Sequence, residues 1–177
     1  MAVTLTATDY LSMGDAAVLE FDPSADSFTI CHWIKIGNLT GFASVFSKML
    51  NSIPYQGWES TIFTDERPWF YAVQVWSTKA YRAKSLTALT LNTWQHVCWV
   101  WTPAGVTLYI DGISIALDVD TNTPMDASGH VAEIACVGRR NGVTGGMVGE
   151  ISDVRLYNRA LSVQEVVTIP TLKGIDH

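Results

Sequence analysis

The chain has 177 residues, of which 48% are apolar, 11% aromatic and 16% charged, against about 25% charged in an ordinary soluble protein. At roughly 150 residues per domain this is one domain, long enough to bury a core without metal or disulfide support, and disorder and coiled coil are excluded. Eleven Lys and Arg against 17 Asp and Glu leave a formal charge of −6, which offers no electrostatic footprint for nucleic acid or anionic lipid.

Apolar residues alternate or run in short blocks between turn signals, and no stretch shows sustained helical spacing, so the chain reads as all-β. The opening MAVTLTATDY has neither a basic start nor a hydrophobic run before a cleavage site, and no apolar run reaches the ~18 residues of a membrane span. Neither a secretion signal nor membrane insertion is expected. Strands are expected at 2–7, 16–21, 27–36, 42–49, 57–64, 68–77, 86–91, 94–102, 105–110, 113–118, 131–137 and 147–157.

Two of these strands are apolar on both faces, which a sandwich with solvent outside does not require. In FTICHWIKI, Phe28, Ile30 and Ile34 oppose Cys31 and Trp33; in WQHVCWVW, Val97, Trp99 and Trp101 oppose Trp94, His96, Cys98 and Val100. Something covers the second face: either the chain's own segments 78–92 and 118–130, or a neighbouring subunit. The low charge content favours the subunit, so a homo-oligomer or larger assembly is expected. Cys31, Cys98 and Cys136 each lie in an apolar run without metal-ligand spacing. Buried free thiols are expected, with a Cys31–Cys98 bridge as the rival. His32 and His96 read as hydrogen-bonded structural histidines rather than ligands or bases.

The candidate ligand site begins at ERPWFYAVQVWS, residues 66–77. Alternation puts Trp69, Tyr71, Val73 and Val75 on one face and Phe70, Ala72, Gln74 and Trp76 on the other. An amide beside a tryptophan suits a sugar platform. The neighbouring YQGWESTIFT sets Glu59 and Thr61 opposite Trp58 and Ile62, and the loop Arg139-Arg140-Asn141 adds hydrogen-bonding groups. Glu59, Thr61, Gln74, Trp76, Arg139, Arg140 and Asn141 are therefore the expected ligand-binding set: an aromatic floor with a polar rim.

Farther along, Asp111-Gly112 between two β-rich runs demands a two-residue type I′ hairpin. Asp118, Asp120 and Asn122 offer three oxygen ligands on what reads as a loop. The EF-hand positions that need Gly and Glu hold Thr123 and Gly129, however, so a solvated turn is expected and no metal or other cofactor. GRRNGVTGG at 138–146 lacks the lysine and helix of a phosphate loop. Near the end, Ser162 stands three residues before Glu165, a capping-box signature for a short helix. Glycoside hydrolysis needs two carboxylates across the scissile bond, and the six glutamates form no such strand motif. No catalytic residues, and no enzyme, are expected.

Five blocks occur in order: SFTICHWIKI at 27–36, VFSKM at 45–49, NTWQHVCWVW at 92–101, VTLYIDGISIA at 106–116 and GEISDVRLYNRALS at 149–162. Together they resemble a laminin G-like domain of the concanavalin A-like, pentraxin-related superfamily, over residues 1–166, with 167–177 left as a tail or edge strand. The resemblance implies a jelly-roll sandwich of two antiparallel sheets with a curved, partly open side and a short helical turn near the C-terminus. Related domains often hold calcium through an Asp in the closing strand, where this chain has Ser152 with Asp153 beside it. Members bind glycans or proteins, carry catalysis or serve as structural modules, and fold alone does not choose. The expected function is a non-catalytic module recognising a glycan or protein surface, displayed as a decoration component on the surface of a phage or virus particle. The alternative is an extracellular carbohydrate-binding module of a secreted polysaccharide-degrading enzyme.

Overall fold

The computed structural model describes residues 2–39, 41–126, 132–143 and 146–172. Its strands are β1 (Val3–Leu5), β2 (Leu11–Gly14), β3 (Phe28–Ile36), β4 (Ala43–Met49), β5 (Gly57–Ile62), β6 (Pro68–Val75), β7 (Lys79–Ser85), β8 (Gln95–Thr102), β9 (Gly105–Ile110), β10 (Ile113–Ile115), β11 (Leu117–Asn122), β12 (Ala135–Val137) and β13 (Gly149–Tyr157), followed by helix α1 (Val163–Thr168). They form two antiparallel sheets, a six-stranded one in the order β1-β13-β3-β8-β9-β10 and a seven-stranded one in the order β11-β7-β6-β5-β4-β12-β2. The all-β sandwich with a short helix near the C-terminus is as expected. Among the described residues no helix is long and apolar enough to cross a membrane.

Alternation builds the core. Phe28, Ile30, Ile34 and Ile36 of β3 and Val97, Trp99 and Trp101 of β8 point inward against Phe46, Trp58, Phe70 and Tyr81 of the facing sheet. Phe28 stacks on Phe21 with ring centroids 4.6 Å apart and meets Trp58 at 5.7 Å and Phe70 at 6.1 Å. Buried indole N–H groups need acceptors: Trp99 Nε1 donates to Ser60 Oγ at 3.1 Å, and Trp101 Nε1 donates to the Pro23 carbonyl at 3.2 Å. The Asp111-Gly112 turn has φ of 51° and 78°, both positive as type I′ requires, and it pairs Ile110 with Ile113.

The outer face of the six-stranded sheet is covered by the chain's own C-terminal segment. Cys31, Cys98, Val100 and Tyr109 pack under Leu161, Val166 and Ile169. Thr29 Oγ1 donates to the Arg159 carbonyl at 2.9 Å and accepts from Leu161 N at 3.1 Å, pinning the approach to α1. The Ser162–Glu165 capping box is present. Trp33 and His96 pack edge to face at 5.4 Å on the same outer surface, and Trp94 is half-buried. The chain itself supplies this cover, though not through the two segments expected to do so: Leu89 of 78–92 packs into the inter-sheet core, and 117–122 is strand β11 of the other sheet. A six-residue helix raises no long periodic signal, which is why its covering role is invisible in the sequence.

Cys31 and Cys98, directly opposite in the β3–β8 register, are joined as a disulfide with Cα atoms 4.1 Å apart, and Cys136 is the buried free thiol. Two of the three expected free thiols are therefore paired, because the register brings them together. The stretch 16–21 holds a 3-10 turn at Ala17–Leu19 rather than a strand, 86–91 holds no strand, and β2, β7 and β11 arise where none was expected. In β7 the inward apolar residues are Tyr81 and Ala83, paired with Ala72 and Phe70, and the outward side carries Ala80, Arg82 and Lys84. Such a strand has weak intrinsic preference and forms because β6 and β11 flank it. The 167–177 stretch is helical through Leu172 rather than an edge strand, and 173–177 lies outside the described residues, as do 127–131 of the segments above.

Candidate functional site

The seven-stranded sheet turns a second set of side chains away from the core. Strand β5 alternates Trp58, Ser60 and Ile62 inward with Gly57, Glu59 and Thr61 outward; register then lines up Ser47, Glu59 and Tyr71 across β4, β5 and β6, with Arg82 of β7 beyond. Tyr71, Val73, Met49 and Ala80 form an apolar cluster there, with Tyr55, Phe63, Trp69 and Trp76 packed onto it. A cleft of about 310 Å³ opens between Phe42, Tyr55, Phe63, Tyr71, Trp76 and Arg140.

Four local features assemble it. A bulge between Val73 and Val75 inserts a residue into β6 and reverses the parity beyond it, so Trp76 joins the face of Tyr71. The β4–β5 connection closes through Leu50 N to Gln56 O at 2.9 Å and is tied to the end of β6 by Trp76 N to Pro54 O at 3.1 Å. This sets the Tyr55 ring 5.5 Å from Trp76. Gly57, at φ 128°, lets β5 run against β4 where a Cβ would collide with the Lys48 carbonyl. Beyond β12, Gly138 N bonds the Val45 carbonyl at 2.9 Å, and the loop carries Arg140 over the sheet.

Beneath the cleft, Glu59 is fully buried. Arg140 clamps it through Nε at 3.1 Å and through Nη2, and Ser44 Oγ donates to the same carboxylate. The guanidinium also lies 5.7 Å from the Phe42 ring centre and 5.9 Å from that of Tyr55. Burial, with the Glu59 charge adding to it, pushes the Tyr71 hydroxyl far above its ordinary value, so it stays a neutral donor. Along the rim Arg82 stacks 4.8 Å over Trp76 and pairs with Asp120 at 3.0 Å. Lys84 sits 5.2 Å over Trp69 and 3.8 Å from Asp118.

Of the expected set, Glu59, Trp76 and Arg140 come together. Thr61 shares the face but is fully buried, donating to the Ala43 carbonyl at 2.9 Å. Gln74 does not join Trp76: the bulge leaves it on the opposite side, where its Oε1 accepts from Asp126 N at 3.0 Å. The Arg139-Arg140-Asn141 triplet splits three ways, since Arg139 donates to the Thr8 carbonyl at 3.3 Å and lies 4.2 Å over Tyr10, while Asn141 Nδ2 donates to Glu133 at 2.6 Å. Phe42, Tyr55, Phe63 and Tyr71 of the lining lie outside the expected set. Strict alternation put Tyr71 on the wrong side of Trp76, and nothing local marks the two phenylalanines.

The oxygen-rich stretch is strand β11 rather than a turn, with Asp118 and Asp120 turned toward Lys84 and Arg82. Asp153, at φ 53° in a bulge of β13, pairs with Arg155 at 2.8 Å. Among the described residues no three His, Cys, Asp or Glu side chains group as metal ligands. His32 departs from the hydrogen-bonded reading: it is buried with no partner among the described residues on either ring nitrogen, and His96 Nδ1 likewise has none among them. Two other clefts carry less chemistry. One of about 340 Å³ beside α1 has its arginines, Arg155 and Arg159, paired to Asp153 and Glu165, and one of about 420 Å³ at the sandwich end is walled by Pro23, Pro103 and Pro124.

Comparison with known proteins is consistent with this architecture. C-reactive protein 1.1 of Limulus polyphemus is 22% identical over 152 residues, or 81% of this chain, and the chain spans 61% of that relative's length. A native heptameric SAP-like pentraxin from the same organism superposes with a TM-score of 0.59 at 19% identity, over 98% of this chain and 87% of that one. The binding domain of Paraclostridial Mosquitocidal Protein 1 gives 0.69 at 16% identity, over 95% of this chain and 42% of that one. Domain 4 of AbnA, a GH43 extracellular arabinanase from Geobacillus stearothermophilus, in complex with arabinotriose, gives 0.64 at 16% identity, over 94% and 74%. At such identities the likeness is one of fold. Residues 5–167, from the end of β1 into α1, match the laminin G-type model of the concanavalin A-like lectin/glucanases superfamily, and the chain belongs to that family.

Proposed function

We propose that this chain is a non-catalytic glycan-binding module whose ligand enters the cleft over Glu59 and Arg140. The observation that carries the reading is five aromatic rings around a guanidinium held fixed by a fully buried carboxylate. Rings offer flat apolar surface to the C–H faces of a sugar, and a guanidinium that cannot swing away presents its remaining N–H groups at low entropic cost. Hydrolysis is disfavoured because among the described residues no carboxylate lines the cleft, and Glu59 lies beneath Arg140 with its oxygens engaged. Domain 4 of AbnA, the fold neighbour in complex with arabinotriose, supports a sugar ligand for this architecture.

Display in several copies on an extracellular or virion surface belongs to the same proposal. The Cys31–Cys98 disulfide supports exposure to an oxidising environment, and the heptameric fold neighbour supports a multivalent arrangement, in which weak contacts gain avidity. The test is a broad glycan array probed with the folded chain, followed by titration of two variants. Trp76→Ala, at a half-exposed position, weakens binding by about tenfold, which is about 1.4 kcal/mol. Gln74→Ala, facing the 123–126 loop, leaves affinity within about twofold. A folded chain with no saturable binding on the array removes the reading.

A further inference from the structure

Resting on the glycan reading, the charges around the cleft point to a narrower ligand class. Three cations face it or its rim, and each has its own carboxylate: Arg140 with Glu59, Arg82 with Asp120 at 3.0 Å, and Lys84 with Asp118 at 3.8 Å. We propose that the cleft accepts neutral sugars and rejects their uronate, sialylated and sulfated counterparts.

The strongest part of the argument is Arg140. Two of its nitrogens are committed to Glu59, and Glu59 is reached by no solvent. An anionic ligand that drew the guanidinium toward itself would leave a carboxylate buried without its counter-charge, a state that costs more than a ligand contact returns. An anionic ligand that left the pair intact would sit beside Glu59 with no unpaired cation among the described residues of the cleft and rim to offset it, and beyond the rim it would meet Asp118 and Asp120. The chain's formal charge of −6 adds a repulsive background. Cationic ligands are disfavoured by the guanidinium in the wall and by Arg82, which already occupies a face of Trp76. What remains is an uncharged molecule with apolar faces and many hydroxyls. Its hydroxyl oxygens accept from the N–H groups of Arg140 not used by Glu59, and its C–H faces lie on Phe42, Tyr55, Phe63 and Tyr71.

Calorimetric titration of the intact chain tests this with neutral arabino-, xylo-, gluco- and galacto-oligosaccharides and with uronate, sialylated and sulfated oligosaccharides of equal length. Titrations run at about 20 mM and about 300 mM salt, on either side of physiological screening. Neutral ligands bind about tenfold or more tightly than their acidic counterparts, and their Kd changes less than about twofold between the two salt concentrations. In Asp118→Asn/Asp120→Asn, which uncovers Arg82 and Lys84 at the exposed edge strand, acidic ligands gain about fivefold or more at low salt while neutral ones stay within about twofold. An acidic ligand that binds the wild type as tightly as its neutral counterpart overturns this inference while leaving the glycan reading in place, and so does an edge variant in which acidic ligands gain nothing. Absence of binding by every sugar, neutral or acidic, overturns both.

Discussion

Mild acid should destabilise this fold through two histidines. His32 lies on the inward side of β3 between Ile30 and Ile34, 1% exposed, and burial together with nearby His96 lowers its pKa from 6.5 to about 3. Burial lowers that of His96 to about 4, with Asp153 opposing and Arg155 assisting the shift. Both bases are therefore neutral in the folded chain and protonate near pH 6.5 in the unfolded one. Where the unfolded state binds more protons, stability rises with pH. It is thus complete above about pH 6.5 and falls as the pH drops toward 4 and 3, at about 1.4 kcal/mol per unit for each histidine. From pH 7.5 down to 5 the pair costs about 4 kcal/mol, and at about 2–4 °C per kcal/mol for a chain of this size the melting temperature falls by about 8–16 °C. The carboxylates held below their ordinary range, such as those of Asp15 and Asp126, start from 3.8 and contribute only at lower pH. Calorimetric melts at pH 7.5, 6.5, 5.5 and about 5 measure the slope, and His32→Leu should remove about half of it. A melting temperature that stays level across this range, or a slope unchanged in His32→Leu, refutes the reasoning.

Arg140→Ala leaves Glu59 buried without its partner and should cost about 3–5 kcal/mol, about 10 °C in the melting temperature; Glu59→Gln/Arg140→Met should recover most of that loss in the same melt. Gly57→Ala places a Cβ against the Lys48 carbonyl at a strained φ and should cost well over 2 kcal/mol in urea unfolding. Gly14→Ala, also at positive φ but with nothing within 4 Å of its Cβ, should lose only about 1–2 kcal/mol. Ser162→Ala removes a helix cap worth about 1 kcal/mol. Because the α1 region covers Cys31 and Cys98, the variant should also expose the disulfide to dithiothreitol, which a mass-spectrometric alkylation time course would detect as faster reduction.

Short-range signals are what could be read from the sequence. Period-2 alternation marked β3, β5 and β8, whose inward residues are those expected. The Asp111-Gly112 turn was legible because type I′ geometry makes its demand on two adjacent residues, and the Ser162–Glu165 box because its hydrogen bonds span three. Block order named the fold, since each block is a strand with its own local chemistry. By contrast, a single bulge after Val73 moved Trp76 to the other face of β6, and alternation carries no record of an inserted residue. Strand β7 went unseen because neighbours on both sides, rather than its own side chains, hold it in the sheet.

The site shows the same division. The aromatic run 66–77, Glu59 and Arg140 were all recognisable as candidates, and the sequence by itself determined the all-β architecture, the hairpin and the helix cap, each through contacts a few residues apart. Only the tertiary structure decided that Arg140 closes on a carboxylate 81 residues earlier in the chain, that Gln74, Arg139 and Asn141 turn elsewhere, and that the chain's own segment from Leu161 to Ile169 packs over the outer face of β3 and β8. Those choices depend on register, a bulge and loop placement, which set the direction of a side chain through atoms far away in sequence.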